Sequence, residues 1–148
     1  MEWLKKIYKT IFEIKEDNLH DNIQIGEQVL VHLVKDGQTI RTIRSGGHTW
    51  NTTGLNQIRE WLRTGSANRP NSMTTTGGGW AAANPIDPGV NTLAVWLGTF
   101  AAAGALSNIS DIRLNYGATT YATVPITTFT KPDGIQMDIR WESTISGV

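Results

Sequence analysis

The amino-acid sequence predicts a mainly β protein: an antiparallel β-sandwich with an N-terminal amphipathic helix and one further short helix. Three observations predict this class. Turn sequences separate short apolar segments, apolar and polar residues alternate within several of those segments, and only two segments show helical spacing. With 148 residues the chain has the length of one domain with a real core. We expect residues 1–21 to form a helical arm and residues 22–148 to form one β-sandwich domain.

The first predicted element is the amphipathic helix of the arm. Apolar side chains recur there at spacings of three and four residues, with Lys and Glu between them. The apolar set comprises Trp3, Leu4, Ile7, Tyr8, Ile11 and Phe12. Because so short a helix is marginal in water by itself, its apolar side must lie on the protein's own core, on another subunit or on a lipid surface.

A β-hairpin is predicted next. Residues 28–35 and 38–44 have strand character and flank Asp36-Gly37. This dipeptide accommodates the positive φ angles of a two-residue type I′ turn. The pattern therefore predicts two adjacent antiparallel strands.

A second helix is predicted near residues 53–64. Thr52 or Thr53 is placed to cap its first amides, and Gly65 is placed to end it in a left-handed conformation. Its apolar stripe comprises Leu55, Ile58, Trp61 and Leu62. Residues 65–90 then read as a long loop rich in Pro, Thr and Gly, and loops of this length are often functional.

The last third of the chain is predicted to be β. Residues 92–100 form a continuous apolar run, typical of a strand buried on both faces. Residues 111–116 alternate, with Ile112, Leu114 and Tyr116 on one side.

Two further strands close the chain. Residues 120–129 are rich in Thr and Val, and Pro125 indicates an edge strand or a bulge. The turn sequence of residues 131–134 then leads to the clearest strand, residues 135–145. Its inward set is Ile135, Met137, Ile139, Trp141 and Ile145, whereas Asp138, Arg140 and Glu142 form an ordinary polar face.

The charges balance overall but are unevenly distributed. Lys and Arg total 13, as do Asp and Glu, and residues 70–148 hold only 3 and 5 of them. A net charge of zero argues against binding to nucleic acid, which rests on neutralising phosphates. The charge-poor part contains twelve threonines, which suits either contact with other subunits or a small β domain with Thr on its exposed faces.

No catalytic or cofactor-binding pattern is present. The chain has no Cys, which excludes thiolate catalysis and Cys-ligated metals, and His20, His32 and His48 lack ligand spacing. The glycine run of residues 77–79 lacks the Lys-Ser/Thr of a phosphate-binding loop. We therefore expect a protein that is not an enzyme and that has no cofactor and no metal. No apolar segment reaches the roughly 20 residues needed to cross a bilayer, so we also expect no membrane partner.

The six tryptophans divide into two groups. Trp61, Trp96 and Trp141 lie in apolar stripes or runs and are predicted to be core. Trp3 and Trp80 lie in segments that cannot bury themselves locally, and exposed Trp often anchors an interface. The candidate subunit interface therefore comprises Trp3, Leu4, Ile7, Tyr8, Ile11, Phe12 and Trp80.

Several stretches resemble small virion-associated proteins of tailed bacteriophages. In those proteins a hairpin leads to a helix of the pattern Thr-x-Gly-Leu-Asn-x-Ile-Arg, to which residues 34–43 and 51–62 are similar. Residues 109–116, 127–129 and 135–147 resemble their closing strands. The similarity covers about half the chain and consists of packing residues. The chain departs from the pattern in residues 65–89, where relatives usually carry a Gly/Thr-rich strand, and in its N-terminal arm.

The resemblance implies a structural protein of the virion. We expect a capsid decoration or minor head or tail protein that is assembled in the host bacterial cytoplasm. Its partners would be major capsid or tail subunits and further copies of itself, with a trimer as the expected homo-oligomer. Two alternatives stay open. One is a receptor- or carbohydrate-binding module at a phage tail or fibre that uses Trp50 or Trp80; the other is a membrane-surface protein held by residues 3–12.

Overall fold

The computed structural model describes residues 2–4, 23–89 and 93–147, and the fold is mainly β. Residues 2–4 are helical. The rest of the predicted arm lies outside the described residues, including its apolar residues Ile7, Tyr8, Ile11 and Phe12.

The described part of the chain from residue 23 onward contains nine strands and one helix. They are β1 (Ile23–Lys35), β2 (Gln38–Thr49), α1 (Thr52–Thr64), β3 (Ser72–Thr75), β4 (Trp80–Ala82), β5 (Asn84–Ile86), β6 (Leu93–Phe100), β7 (Leu106–Tyr116), β8 (Thr119–Lys131) and β9 (Gln136–Gly147).

The strands form two antiparallel sheets in a sandwich-like arrangement. The five-stranded sheet has the order β2-β1-β9-β6-β5, and the four-stranded sheet has the order β4-β3-β7-β8. The inner faces of both sheets contribute to one hydrophobic core. At Gly98 in β6 the sheets approach so closely that an added Cβ would lie 2.8 Å from the Met73 sulfur.

The predicted turns and helix ends are found, with one correction. Asp36 and Gly37 have φ angles of 51° and 77°, as a type I′ turn requires, and Gly65 ends α1 at φ 75°. The predicted N-cap at Thr52 or Thr53 is wrong. Asn51 caps the helix instead, because its Oδ1 accepts a 2.9 Å hydrogen bond from the Gly54 amide.

The long loop predicted over residues 65–90 is interrupted by three short strands. β3 pairs with β4 and β7, and β5 pairs with β6. These strands have three or four residues each, too few to show a period of two. They form because distant strands supply their hydrogen bonds.

The predicted core is confirmed in part. Trp96 and Trp141 are buried. Residues 92–100 were expected to be buried on both faces, but Leu97 and Thr99 are exposed on the outer side of β6. Tyr116 was expected to face inward with Leu114, yet a register shift between Leu114 and Asn115 buries Asn115 and exposes Tyr116.

Candidate functional site

Four aromatic side chains meet at one end of the sandwich, and we call them the aromatic cluster. Trp3 makes edge contacts with Trp96 and Trp50, with ring centroids 5.7 and 6.4 Å apart. Trp50 also lies 6.0 Å from Trp96 and 6.1 Å from Tyr121. Trp50, Trp96 and Tyr121 are buried, whereas Trp3 is half-buried. The segment of residues 2–4 is therefore docked on the protein's own core.

Helix α1 holds the aromatic cluster against β8. The Asn51 amide donates to the Tyr121 carbonyl oxygen at 2.8 Å, and the Asn51 side chain donates to the Thr120 carbonyl oxygen at 2.7 Å. A Cβ at Gly54 would lie 2.9 Å from atoms of both Trp50 and Tyr121. Since real Cβ atoms do not approach that closely, the glycine is required for the helix to pack here.

A buried carboxyl group lies beside this cluster. Glu27 is 2% exposed, and its carboxyl accepts hydrogen bonds from the Trp141 indole N–H and from the Ser143 hydroxyl. The Trp50 indole N–H donates in turn to Ser143 Oγ at 3.1 Å. All these donors are neutral. Burial raises the pKa of Glu27 from 4.5 to about 8, against the opposing effect of the hydrogen bonds.

Two neighbouring cavities flank Trp3. One has a volume of about 450 Å³, and its lining includes Glu2, Asp87 and Leu93. The other has a volume of about 380 Å³, and its lining includes Asn68 and Tyr116. Both are lined by Trp3, Arg69, Pro85 and Trp96. A cavity of this size and mixed lining is typical of a site that holds a ligand or a partner's side chains.

The residues of the predicted subunit interface have different environments. Leu4 is 4% exposed and belongs to the protein's own core, and Trp3 packs beside it on the aromatic cluster. Of the three placements that the sequence left open for the apolar side of the arm, these two residues therefore occupy the one on the protein's own core. Trp80 is 65% exposed. Trp50, the other tryptophan considered for sugar binding, is 3% exposed and lies in the core.

A hydrogen-bonded turn presents Trp80 to solvent. Thr75 Oγ1 donates to the Gly78 carbonyl oxygen at 2.5 Å, and the Gly78 amide donates back to the Thr75 carbonyl oxygen at 3.1 Å. Gly78 and Gly79 have φ angles of 89° and 83°. A Cβ at Gly79 would lie 2.9 Å from Leu106, so the turn packs closely on the sandwich. A well-packed segment therefore positions the indole of Trp80 in solvent.

Trp80 begins a row of side chains across the outer face of the four-stranded sheet. In register, Trp80 pairs with Thr74, Thr74 with Arg113, and Arg113 with Thr123. Paired residues of antiparallel strands share a face. Arg113 is fixed in this row because its guanidinium donates to both carboxylate oxygens of Asp111, at 3.1 and 3.4 Å.

The eight charged side chains of residues 70–148 all have protein partners. Arg113 pairs with Asp111 and Arg140 pairs with Glu142. The other four make hydrogen bonds. Lys131 Nζ donates to four backbone carbonyls, and Asp138 accepts hydrogen bonds from Gln136 and Thr99. Asp133 accepts a hydrogen bond from the Gly104 amide, and Asp87 accepts one from the Gly89 amide. This surface therefore carries few charges that face solvent alone.

The histidines do not form a cluster in the part of the chain that the structure describes. His32 Nδ1 is hydrogen-bonded to Thr42 at 3.0 Å. His20 lies outside the described residues, and the side chain of His48 is not described. Among the described residues, no group of three or more His, Asp or Glu side chains is placed to hold a metal ion. No described helix is long and apolar enough to cross a membrane.

Two buried charged residues were missed by the sequence analysis. Glu27 lies two residues before Val29 in β1, and Lys131 lies two residues after Phe129 in β8. Both therefore occupy the inward phase of an alternating strand. A charged residue at such a position is the signal that would have identified them.

Comparison with protein-family models, with curated protein sequences and with solved structures finds no match to this chain.

Proposed function

We propose that the protein is a structural component of a tailed-phage virion, a capsid decoration protein or a minor head or tail protein, that acts through protein–protein contacts. The main support is that each of the eight charged side chains in residues 70–148 has a partner within the protein, four of them in ion pairs and four in hydrogen bonds to neutral groups, beside an exposed Trp80. Desolvating a charge that has no partner is costly, so a surface whose charges already have partners is cheaper to bury against another protein. Trp is also enriched among residues that dominate binding energy.

The resemblance to small virion-associated proteins supports the same proposal. In this proposal the partners are major capsid or tail subunits and further copies of the chain. Residues 2–4 are helical and pack on the sandwich.

Particle incorporation tests the proposal. A phage that lacks this chain is complemented with the native chain, with Trp80→Ala or with Ile40→Ala, and copies per purified particle are counted by quantitative mass spectrometry. Ile40 is the matched control, because it is 58% exposed on β2, outside the Trp80 row. We expect many copies of the native and Ile40→Ala chains and at least a tenfold loss for Trp80→Ala, about the effect of an interface hot spot. A native chain found only as soluble monomer would refute the proposal.

Carbohydrate recognition is the second candidate, and one observation favours it. Trp80 offers an exposed flat ring in a row that also contains Thr74 and the fixed guanidinium of Arg113. An aromatic ring stacks on the apolar face of a sugar, while hydroxyl and guanidinium groups bind its hydroxyls. None of the three cavities around Trp3 is lined by Trp80, so this site would be a flat platform.

A glycan array separates the two candidates. Carbohydrate recognition predicts binding by the native chain that Trp80→Ala abolishes and that Ile40→Ala retains. Absence of glycan binding together with particle incorporation would leave the structural role alone.

A further inference from the structure

The sequence contains two Asp-Gly dipeptides, Asp36-Gly37 and Asp133-Gly134. Both lie in turns, and Gly37 and Gly134 have φ angles of 77° and 85°. In an Asp-Gly dipeptide the aspartyl side chain can react with the backbone that follows it, because glycine has no Cβ to keep its amide nitrogen away from the carboxyl carbon. The environment of each turn therefore decides whether that reaction takes place in the folded chain.

Hydrogen bonds hold both reacting groups of the Asp133-Gly134 turn. The Asp133 carboxylate accepts a 2.7 Å hydrogen bond from the Gly104 amide, and the Gly134 amide donates to the Ala102 carbonyl oxygen at 2.8 Å. The buried Lys131 ammonium also donates to backbone carbonyls on either side of this turn. The amide nitrogen and the carboxyl carbon of this dipeptide cannot approach each other unless these hydrogen bonds break.

The Asp36-Gly37 turn has no such restraint. Residues 35–42 are all exposed, so the tip of the β1–β2 hairpin does not pack on the sandwich. Among the described residues, none forms a hydrogen bond or an ion pair with the Asp36 side chain or a hydrogen bond with the Gly37 amide. A register shift between Leu33 and Val34 separates the last two residue pairs of the hairpin from the rest of its ladder. Opening this tip therefore breaks few hydrogen bonds and costs little free energy.

We propose that Asp36 is a site of spontaneous isoaspartate formation in the folded protein and that the fold protects Asp133 from the same reaction. The Gly37 amide nitrogen attacks Cγ of the protonated Asp36 carboxyl group. A C–N bond forms, the Cγ–OH bond breaks, and the hydroxyl group leaves as water with the amide proton. Water then opens the resulting succinimide: addition at Cγ restores aspartate, and addition at the main-chain carbonyl carbon gives isoaspartate. The reaction needs no oxidant or reductant.

Isoaspartate inserts the side-chain methylene group into the main chain of the turn. The length and type of a two-residue hairpin loop set the register of its strands, so the longer turn cannot keep the pair of Lys35 with Gln38. The sandwich is retained, because residues 23–34 of β1 also pair with β9. The modification therefore alters the exposed hairpin tip alone, and it is a property of the isolated chain that does not depend on the proposed virion role.

The native chain tests the proposal and contains its own control. One sample is incubated folded near neutral pH, and a second sample is incubated at the same pH in urea that unfolds it. Peptide mapping with electron-transfer fragmentation locates isoaspartate, and isoaspartyl methyltransferase with labelled S-adenosylmethionine quantifies it. We expect similar amounts at residues 36 and 133 in urea. In the folded sample we expect at least about ten times more at residue 36, because the turn at residue 133 opens far less often.

Asp36→Glu is the matched variant, since it keeps the negative charge and its side chain would have to form a larger ring, which closes far more slowly. Folded Asp36→Glu should lose the isoaspartate at residue 36 and keep the low amount at residue 133. Equal amounts at the two residues of the folded native chain, or no isoaspartate at its residue 36, would overturn the proposal.

Discussion

Glu27 and Lys131 are two buried ionisable residues that the same sandwich accommodates in opposite ways. Lys131 is 1% exposed, and its ammonium donates to the carbonyl oxygens of Ala102, Gly104, Pro132 and Ile135 at 2.7–3.3 Å. Glu27 is 2% exposed and receives hydrogen bonds from neutral side chains. The lysine is surrounded by backbone acceptors, whereas the carboxyl depends on a few side-chain donors.

These different hydrogen-bond partners give the two residues different roles in the fold. The four carbonyls around Lys131 belong to the β6–β7 connection and the β8–β9 turn, so the ammonium holds two loops together. Burial lowers the pKa of Lys131, and the charge of Asp133 opposes that effect. Burial raises the pKa of Glu27 to about 8, which places its titration near neutral pH.

The largest expected effect is a loss of stability as the pH rises. The folded pKa of Glu27 is about 8 and its ordinary value is 4.5. The folded state therefore holds a proton that the unfolded state releases, and stability is complete below pH 4.5 and is lost as the pH rises through 8. This difference between the two pKa values corresponds to a change in the free energy of unfolding on the order of 5 kcal/mol. Urea unfolding at pH values between 4 and 9, spaced about one unit apart, measures this change in stability.

Glu27→Gln should flatten this pH profile, because the amide keeps an acceptor for the Trp141 indole and does not ionise. Glu142→Gln is the matched control on the opposite face of the same β1–β9 ladder, and its profile should keep the native slope. A native slope in Glu27→Gln would show that another group titrates, and the contrast with Lys131 would then lose its basis.

The next largest effect is expected for Lys131→Met, which has a similar length and no charge. The substitution leaves the carbonyl oxygens of Gly104 and Ile135, each 2.7 Å from Nζ, short of one donor. A buried polar group left unsatisfied costs about 1–3 kcal/mol, so for the two carbonyls we expect a loss of about 4 kcal/mol. Thermal unfolding of the native and Lys131→Met chains at one pH measures it. Equal stability of the two chains would mean that the ammonium does not hold the two loops together.

These two residues also show what the sequence could reveal. Alternation and turn chemistry predicted strands and turns near them, including the hairpin strand of residues 28–35, the apolar face of β9 and the turn at residues 131–134. They predicted neither buried charge, because the partners lie far away in sequence: Glu27 meets Ser143, and Lys131 meets Gly104. Their position in the alternation of a strand marks such residues as inward-facing, but only the fold shows which groups form hydrogen bonds with them.

The candidate functional site was likewise only partly predictable from the sequence. The exposure of Trp80 followed from its position among glycines and alanines, where nothing local covers it. The docking of Trp3 and Leu4 did not, because amphipathic spacing shows that a face must be covered and not what covers it. The pairing of β3 and β5 was equally out of reach, since their distant partners are β7 and β6.

A smaller effect is expected for Ser143→Ala, which removes one donor from Glu27 and the acceptor of the Trp50 indole. The Ser143 hydrogen bond lowers the pKa of Glu27, so its loss should move the alkaline loss of stability to higher pH. The orphaned indole N–H should cost about 1–2 kcal/mol at pH 5. Urea unfolding across the same pH range measures both effects. A shift to lower pH would contradict the arrangement of neutral donors around the carboxyl.

The smallest effect is expected for Asp133→Asn, and it tests whether charge or backbone holds Lys131. The Asp133 carboxylate accepts a 2.7 Å hydrogen bond from the Gly104 amide, and the side chain is exposed to solvent. Asparagine keeps that acceptor and removes only the charge, so we expect a loss of about 0.5 kcal/mol, as for other solvent-screened charge interactions. Asp133→Ala should cost more, because the Gly104 amide then loses its partner. A loss from Asp133→Asn as large as that from Lys131→Met would mean that an ion pair holds the ammonium. Lys131 and Glu27 would then differ in the charge of their partners, and the contrast between backbone acceptors and side-chain donors would no longer explain them.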